Sequence, residues 1–121
     1  MEVSESAIRK VWVPTAMKEA LAEYCWRHRT KPSPLIVAII DEYVADPGKF
    51  SGMPIPPAGT NNVSVYLALD YWDAAVEVAT KHGTRLSAVI RAELGRRIAD
   101  EGIPWDATSP RPRNERIPEL E

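Results

Sequence analysis

A chain of 121 residues with 45% apolar and 26% charged side chains has room for one compact domain or two very small ones. A net charge of −2 and a pI near 5.7 speak against a uniformly basic nucleic-acid binder, but the field at one face matters more than the sum. The single cysteine, Cys25, excludes an intrachain disulfide and a cysteine metal cluster. No apolar run reaches the roughly 20 residues of a membrane span, and MEVSESAIRK lacks the order of a signal peptide, so a cytoplasmic protein is expected.

Residues 1–7 are polar and read as a flexible N-terminus. Ile8 to Val13 can form a strand, ended by Pro14-Thr15. Met17, Ala20, Leu21, Tyr24 and Cys25 lie at helical spacing, which predicts a helix over 15–28 with Thr15 as its cap. Ser33 as N-cap and Pro34 at the first helical position would open a second helix, with Leu35, Ile36, Ile39, Ile40 and Tyr43 as its stripe. Asp46-Pro47-Gly48 stops it. Residues 47–61, PGKFSGMPIPPAGTN, read as a linker that proline stiffens, with Phe50, Met53 and Ile55 available to pin it to the body.

Val63-Ser64-Val65-Tyr66-Leu67 alternates as a half-buried strand does. Helical spacing follows at Trp72, Ala75, Val76 and Ala79, then a stop at His82-Gly83-Thr84. A last helix carries Val89, Ile90 and Leu94 and can end on Gly102. Residues 103–121, with four prolines and mixed charge, read as a flexible tail from which Trp105 can fold back.

A shift of 54 positions lays the first half on the second without a gap. Val11–Gly48 against Val65–Gly102 gives eleven identities in 38 positions, among them His28/His82, Thr30/Thr84, Ser33/Ser87 and Gly48/Gly102. The turns and helix stops coincide as well. The chain therefore reads as a strand–helix–helix unit written twice, at 8–46 and 62–102. One copy alone is too small to bury a core, and its strand has no partner.

Paired antiparallel strands with four helices resemble the ribbon-helix-helix family of Arc, MetJ and CopG type, in a single-chain tandem form. The resemblance covers roughly Ile8–Val44 and Asn62–Asp100, and the second copy matches better than the first, where Arg29 stands in place of a glycine. It implies a mainly α fold with a two-stranded antiparallel β-ribbon, β-α-α repeated twice, forming an intramolecular pseudo-dimer. Two chains pairing copy with copy is the other arrangement a 15-residue linker permits.

In that family the ribbon enters the DNA major groove, as in MetJ and Arc. Alternation turns Val11, Val13, Val63, Val65 and Leu67 inward, leaving Lys10, Trp12, Asn62, Ser64 and Tyr66 to meet DNA bases. Lys10 can donate to guanine, Asn62 can pair with adenine, and Ser64 can serve either role. Thr30, Lys31 and Ser33, with Thr84, Arg85 and Ser87, stand at the start of each second helix, where backbone amides favour phosphate. Capping by Ser33 and Ser87 is the plainer role for those hydroxyls. Trp12 and Tyr66 would also suit a protein-binding surface.

His28 and His82 stand at helix ends without partners at ligand spacing, so no metal is expected. Cys25 reads as a small core residue. No nucleophile–base pair, phosphate loop or paired carboxylate motif stands out, and neither an enzyme nor a cofactor is expected. The expected function is sequence-specific binding of double-stranded DNA, as a repressor or a plasmid or phage accessory factor, with self-association on adjacent sites. The alternative is a protein-interaction module on the same fold, either an antitoxin whose tail, residues 103–121, wraps a toxin or a phage factor that binds a host protein.

Overall fold

Two runs rich in β-branched residues form strands, β1 (Ser6–Val13) and β2 (Asn61–Ala68), which pair antiparallel within the one chain. The computed structural model describes residues 6–105. Expectations for residues 1–5 and 106–121 therefore lie outside the described residues. Four α-helices complete the chain: α1 (Thr15–Arg27), α2 (Pro32–Ala45), α3 (Leu69–Lys81) and α4 (Leu86–Asp100). A single 3-10 turn, Pro47–Phe50, follows α2.

The expectation of a mainly α, ribbon-helix-helix pseudo-dimer is corrected by these elements. The order is β-α-α, a 3-10 turn, then β-α-α, which is compatible with a tandem β-α-α arrangement, but the body is mixed α/β. Both strands run for eight residues, longer than the alternation in the sequence suggests. They supply one wall of the core through Val11, Val13, Val63, Val65 and Leu67. The strand begins at Ser6, inside what reads as a flexible terminus, because every residue from Ser6 onward has a cross-strand partner.

Against that wall pack Met17, Leu21 and Cys25 of α1, Ile36, Ile39, Ile40 and Tyr43 of α2, and Ile90, Leu94 and Ile98 of α4. Each such side chain contributes roughly 1.5–3 kcal/mol when fully buried. Burial also pushes the Cys25 thiol above its ordinary pKa, so it is an inert core residue. The helix α3 contributes less: Ala75 and Ala79 are buried, and Val76 faces solvent. Its Tyr71 hydroxyl donates to Asp41 of α2, and burial with that carboxylate pushes the Tyr71 pKa up to about 12.

Burial of α4 extends well beyond the expected stripe, to Ala88, Ala92, Glu93 and Gly95. Ala92 and Gly95 share one cavity with the linker and with the chain after α4. Met53 and Trp105 pack on the core, and a Cβ at Gly95 would come within 2.8 Å of the Trp105 ring. Phe50 is buried edge-on to Tyr43, whereas Ile55, expected to pin the linker, is exposed. Gly59 takes positive φ where a Cβ would sit 2.4 Å from the Val13 and Pro14 backbone. Arg91 donates to the carbonyls of Pro56 and Trp12, tying α4 to linker and strand.

The one charged residue buried among the described residues, Glu93, accepts from Arg96 and Arg97, and Arg97 also donates to Glu42. Desolvation would raise the Glu93 pKa, but the two guanidinium groups outweigh it and hold the carboxyl below its ordinary value.

Candidate nucleic-acid interface

Pleating sets the ribbon's outer face. Ile8 stands opposite Tyr66, Lys10 opposite Ser64, and Trp12 opposite Asn62. Ile8, Trp12 and Tyr66 are 54%, 46% and 58% exposed, so each presents a large apolar surface to solvent. Lys10 is exposed, while Asn62 and Ser64 are half-buried. The central pair has a particular place in the repeat: a shift of 54 carries Lys10 onto Ser64, its own cross-strand partner. The register is thus symmetric about the one outward pair whose two residues differ in charge.

A cleft of about 460 Å³ adjoins the β2 side of this face. Asn62, Ser64 and Tyr66 line it together with Lys31 and Ser33 from the start of α2 and Lys18 from α1. Five of the sequence-derived site residues therefore meet in one concavity. Lys18 is an addition the sequence reading missed. Its signal was present, because Lys18 shares helical spacing with Leu21 and Ala22, which line the same cleft.

The remaining residues lie elsewhere. Thr30 lines a separate hollow with Trp26, Arg27 and Arg29. Thr84 lines a cavity beside the 3-10 turn. Arg85 is exposed and Ser87 half-buried at the start of α4. Arg9, which alternation places on the inner side opposite Val65, is half-buried with its Nε unpartnered.

The expected serine caps are not present. The helix α2 begins at Pro32 with Lys31 as N-cap, and α4 begins at Leu86 with Arg85 as N-cap, neither with a side-chain cap bond. Ser33 and Ser87 fall on the second helical residue instead. The Ser33 hydroxyl accepts from the Tyr66 backbone N–H at 2.8 Å and so fastens α2 to the ribbon. Thr15 likewise does not cap α1; its hydroxyl accepts from Asn61.

This start position decides what each helix offers an anion. The first intrahelical bonds run from Leu35 to the Lys31 carbonyl and from Val89 to the Arg85 carbonyl. Ahead of Val89, the amides of Leu86, Ser87 and Ala88 have no intrahelical acceptor. Ahead of Leu35, Pro32 and Pro34 have no N–H, so Ser33 alone offers one. The start of α2 thus has the Lys18 and Lys31 side chains beside it, and the start of α4 has backbone amides with Arg85.

His28 stacks on Tyr24 at 4.3 Å and lies 3.2 Å from Glu101, and the His82 ring donates through Nδ1 to the Val78 carbonyl. Among the described residues no group of three His, Cys, Asp or Glu could hold a metal ion, and no helix is long and apolar enough to cross a membrane. Neither a family model, a curated protein nor a solved structure matches the chain.

Proposed function

We propose that the chain binds double-stranded DNA sequence-specifically by placing the outer face of its ribbon in the major groove. It would act in the cytoplasm, without catalysis, as a transcriptional repressor or a plasmid or phage accessory factor. The observation that carries this reading is the convergence of Lys10, Ser64 and Asn62 on the outward face with Lys18 and Lys31 in the adjoining cleft. Two strands some 5 Å apart fit a groove about 12 Å wide. The outward polar residues can then reach base edges while the flanking cations meet phosphates.

Copies would sit side by side on adjacent sites. The repeat places Lys10 against Ser64 at the centre, so the two strands present different hydrogen-bonding groups. An asymmetric DNA site suits such a face better than a palindrome does. The test is a gel shift with DNA from upstream of the chain's own coding region, across a range of salt. A shift that weakens steeply with salt and resists competition by scrambled DNA is expected.

A second reading follows from Ile8, Trp12 and Tyr66, about half exposed on the same face. Such a surface also suits a protein partner, with residues 103–121 adding to the contact. Absence of any shift on DNA, with a protein competing for the ribbon, would favour it.

A further inference from the structure

Two lysines line the cleft beside β2 without a counter-charge. Lys18 and Lys31 are exposed, neither makes an ion pair with a described residue, and no acidic residue lines the cleft. Ala22, Pro32 and Tyr66 give the same cleft an apolar and aromatic lining, and Asn62 and Ser64 add an amide and a hydroxyl. Each of these residues keeps accessible surface, and Tyr66 is 58% exposed. The Ser33 hydroxyl, bonded to the Tyr66 backbone N–H, fastens the start of α2 to the strand and so holds the two walls together. The volume of about 460 Å³ falls within the roughly 300–1,000 Å³ of small-molecule sites.

The fold does not need this arrangement, because the repeat replaces it. A shift of 54 puts Trp72, packed against the core, in the place of Lys18, and Ile8 in the place of Asn62. The paired cations are matched by a phosphate monoester, which carries a charge of about −1.5 to −2 at neutral pH. Lysine meets such a group as a point charge. We infer that the cleft binds a small phosphate monoester with a flat aromatic body, and that this ligand and DNA exclude one another. Its phosphate lies with Lys18 and Lys31, its ring lies against Ala22, Pro32 and Tyr66, and Asn62 or Ser64 bonds its polar edge. The binding itself requires only the cleft. Its regulatory consequence rests on the DNA-binding reading above, since ligand and DNA would take the same Lys31, Asn62, Ser64 and Tyr66.

The probe is 2-naphthyl phosphate, with inorganic phosphate supplying the charge alone and 2-naphthol the ring alone. Calorimetric titration of the full chain without DNA should give saturable binding of the ester with Kd of about 1 mM or tighter. Phosphate and naphthol should each bind about tenfold more weakly or worse. Lys18→Ala plus Lys31→Ala should weaken the ester about tenfold and keep the melting temperature, both side chains being exposed. Lys49→Ala plus Lys81→Ala, which removes the same charge from exposed positions outside the cleft, should leave the affinity unchanged. At matched ionic strength, ester at about ten times its Kd should raise the apparent Kd for upstream DNA about tenfold. No saturable binding up to about 20 mM, equal affinity in Lys18→Ala plus Lys31→Ala, or phosphate binding as tightly as the ester would each overturn the site. Ester that binds while the DNA affinity stays unchanged would overturn the exclusion. A chain that binds the ester but shifts no DNA would support the site and remove the DNA-binding reading alone.

Discussion

Arg29 holds φ at +53°, a conformation that side chains with a Cβ adopt at a cost, and the repeat puts Gly83 at φ +73° in the equivalent place. Both residues end their helices through the same backbone bond, Thr30 N–H to the Cys25 carbonyl and Thr84 N–H to the Ala79 carbonyl. The mismatch was visible in the sequence, but the strain follows only from the shared geometry. Arg29→Gly should stabilise the chain by about 0.5–1 kcal/mol, and Gly83→Ala, with open space around its Cβ, should destabilise it by a similar amount. Thermal denaturation reads both as shifts of several degrees in opposite directions; shifts of the same sign would contradict the shared turn. Glu93 gave no such warning, because one acidic residue in a helical run reads as a surface residue until its bonds to Arg96 and Arg97 are seen. Its folded pKa is depressed, so its contribution is present above the unfolded value and is lost as pH falls through the folded one. Acid titration below about pH 4 should therefore destabilise the wild type more than Glu93→Gln. Parallel stability curves for the two proteins in that range would remove the carboxylate from the account. Arg97→Ala, which removes a partner of both Glu93 and Glu42, should cost on the order of 3 kcal/mol in chemical denaturation.

At the scale of elements, helix and strand identity was legible and the helix caps were not. Period-two alternation and helical spacing report burial on one face, and both survive folding because the core is what they describe. Serine before a helical run has two outcomes, a cap or a side-chain bond elsewhere. Here the Tyr66 amide captured Ser33, a partner 33 residues away that local sequence could not show. Lys31 stands at the N-cap instead, and Pro32 and Pro34 leave α2 with a single free amide. Lys31→Ala should therefore weaken DNA binding more than Arg85→Ala, whose helix still offers three amides. Each substitution should lower the slope of log affinity against log salt by about 1. Equal losses of affinity, or an unchanged slope, would count against phosphate contact at the helix starts.

For the whole molecule, the repeat conveyed the order of elements but not the class of the body. The strands proved long enough to form a wall of the core, and the residues between the copies proved part of the body. Pro-rich composition announces irregular backbone without saying whether it packs. Here Phe50, Met53 and Gly59 between the copies, and Trp105 after the second, press on α2, α4 and β1, asymmetric contacts that a shift of one half onto the other cannot contain. The candidate site was partly legible for the same reason: alternation gave the outward face of the ribbon, while the cleft with Lys18 arises from α1, α2 and β2 meeting in space. The central claim is that this outward face reads base pairs. Titration of upstream DNA and of a scrambled duplex with the wild type and with Lys10→Ala plus Asn62→Ala tests it most directly. The account predicts that the double variant keeps its melting temperature, loses about 1–3 kcal/mol per substituted contact on the specific DNA, and binds the scrambled duplex almost as before. Unchanged affinity for the specific DNA in a folded double variant would contradict it.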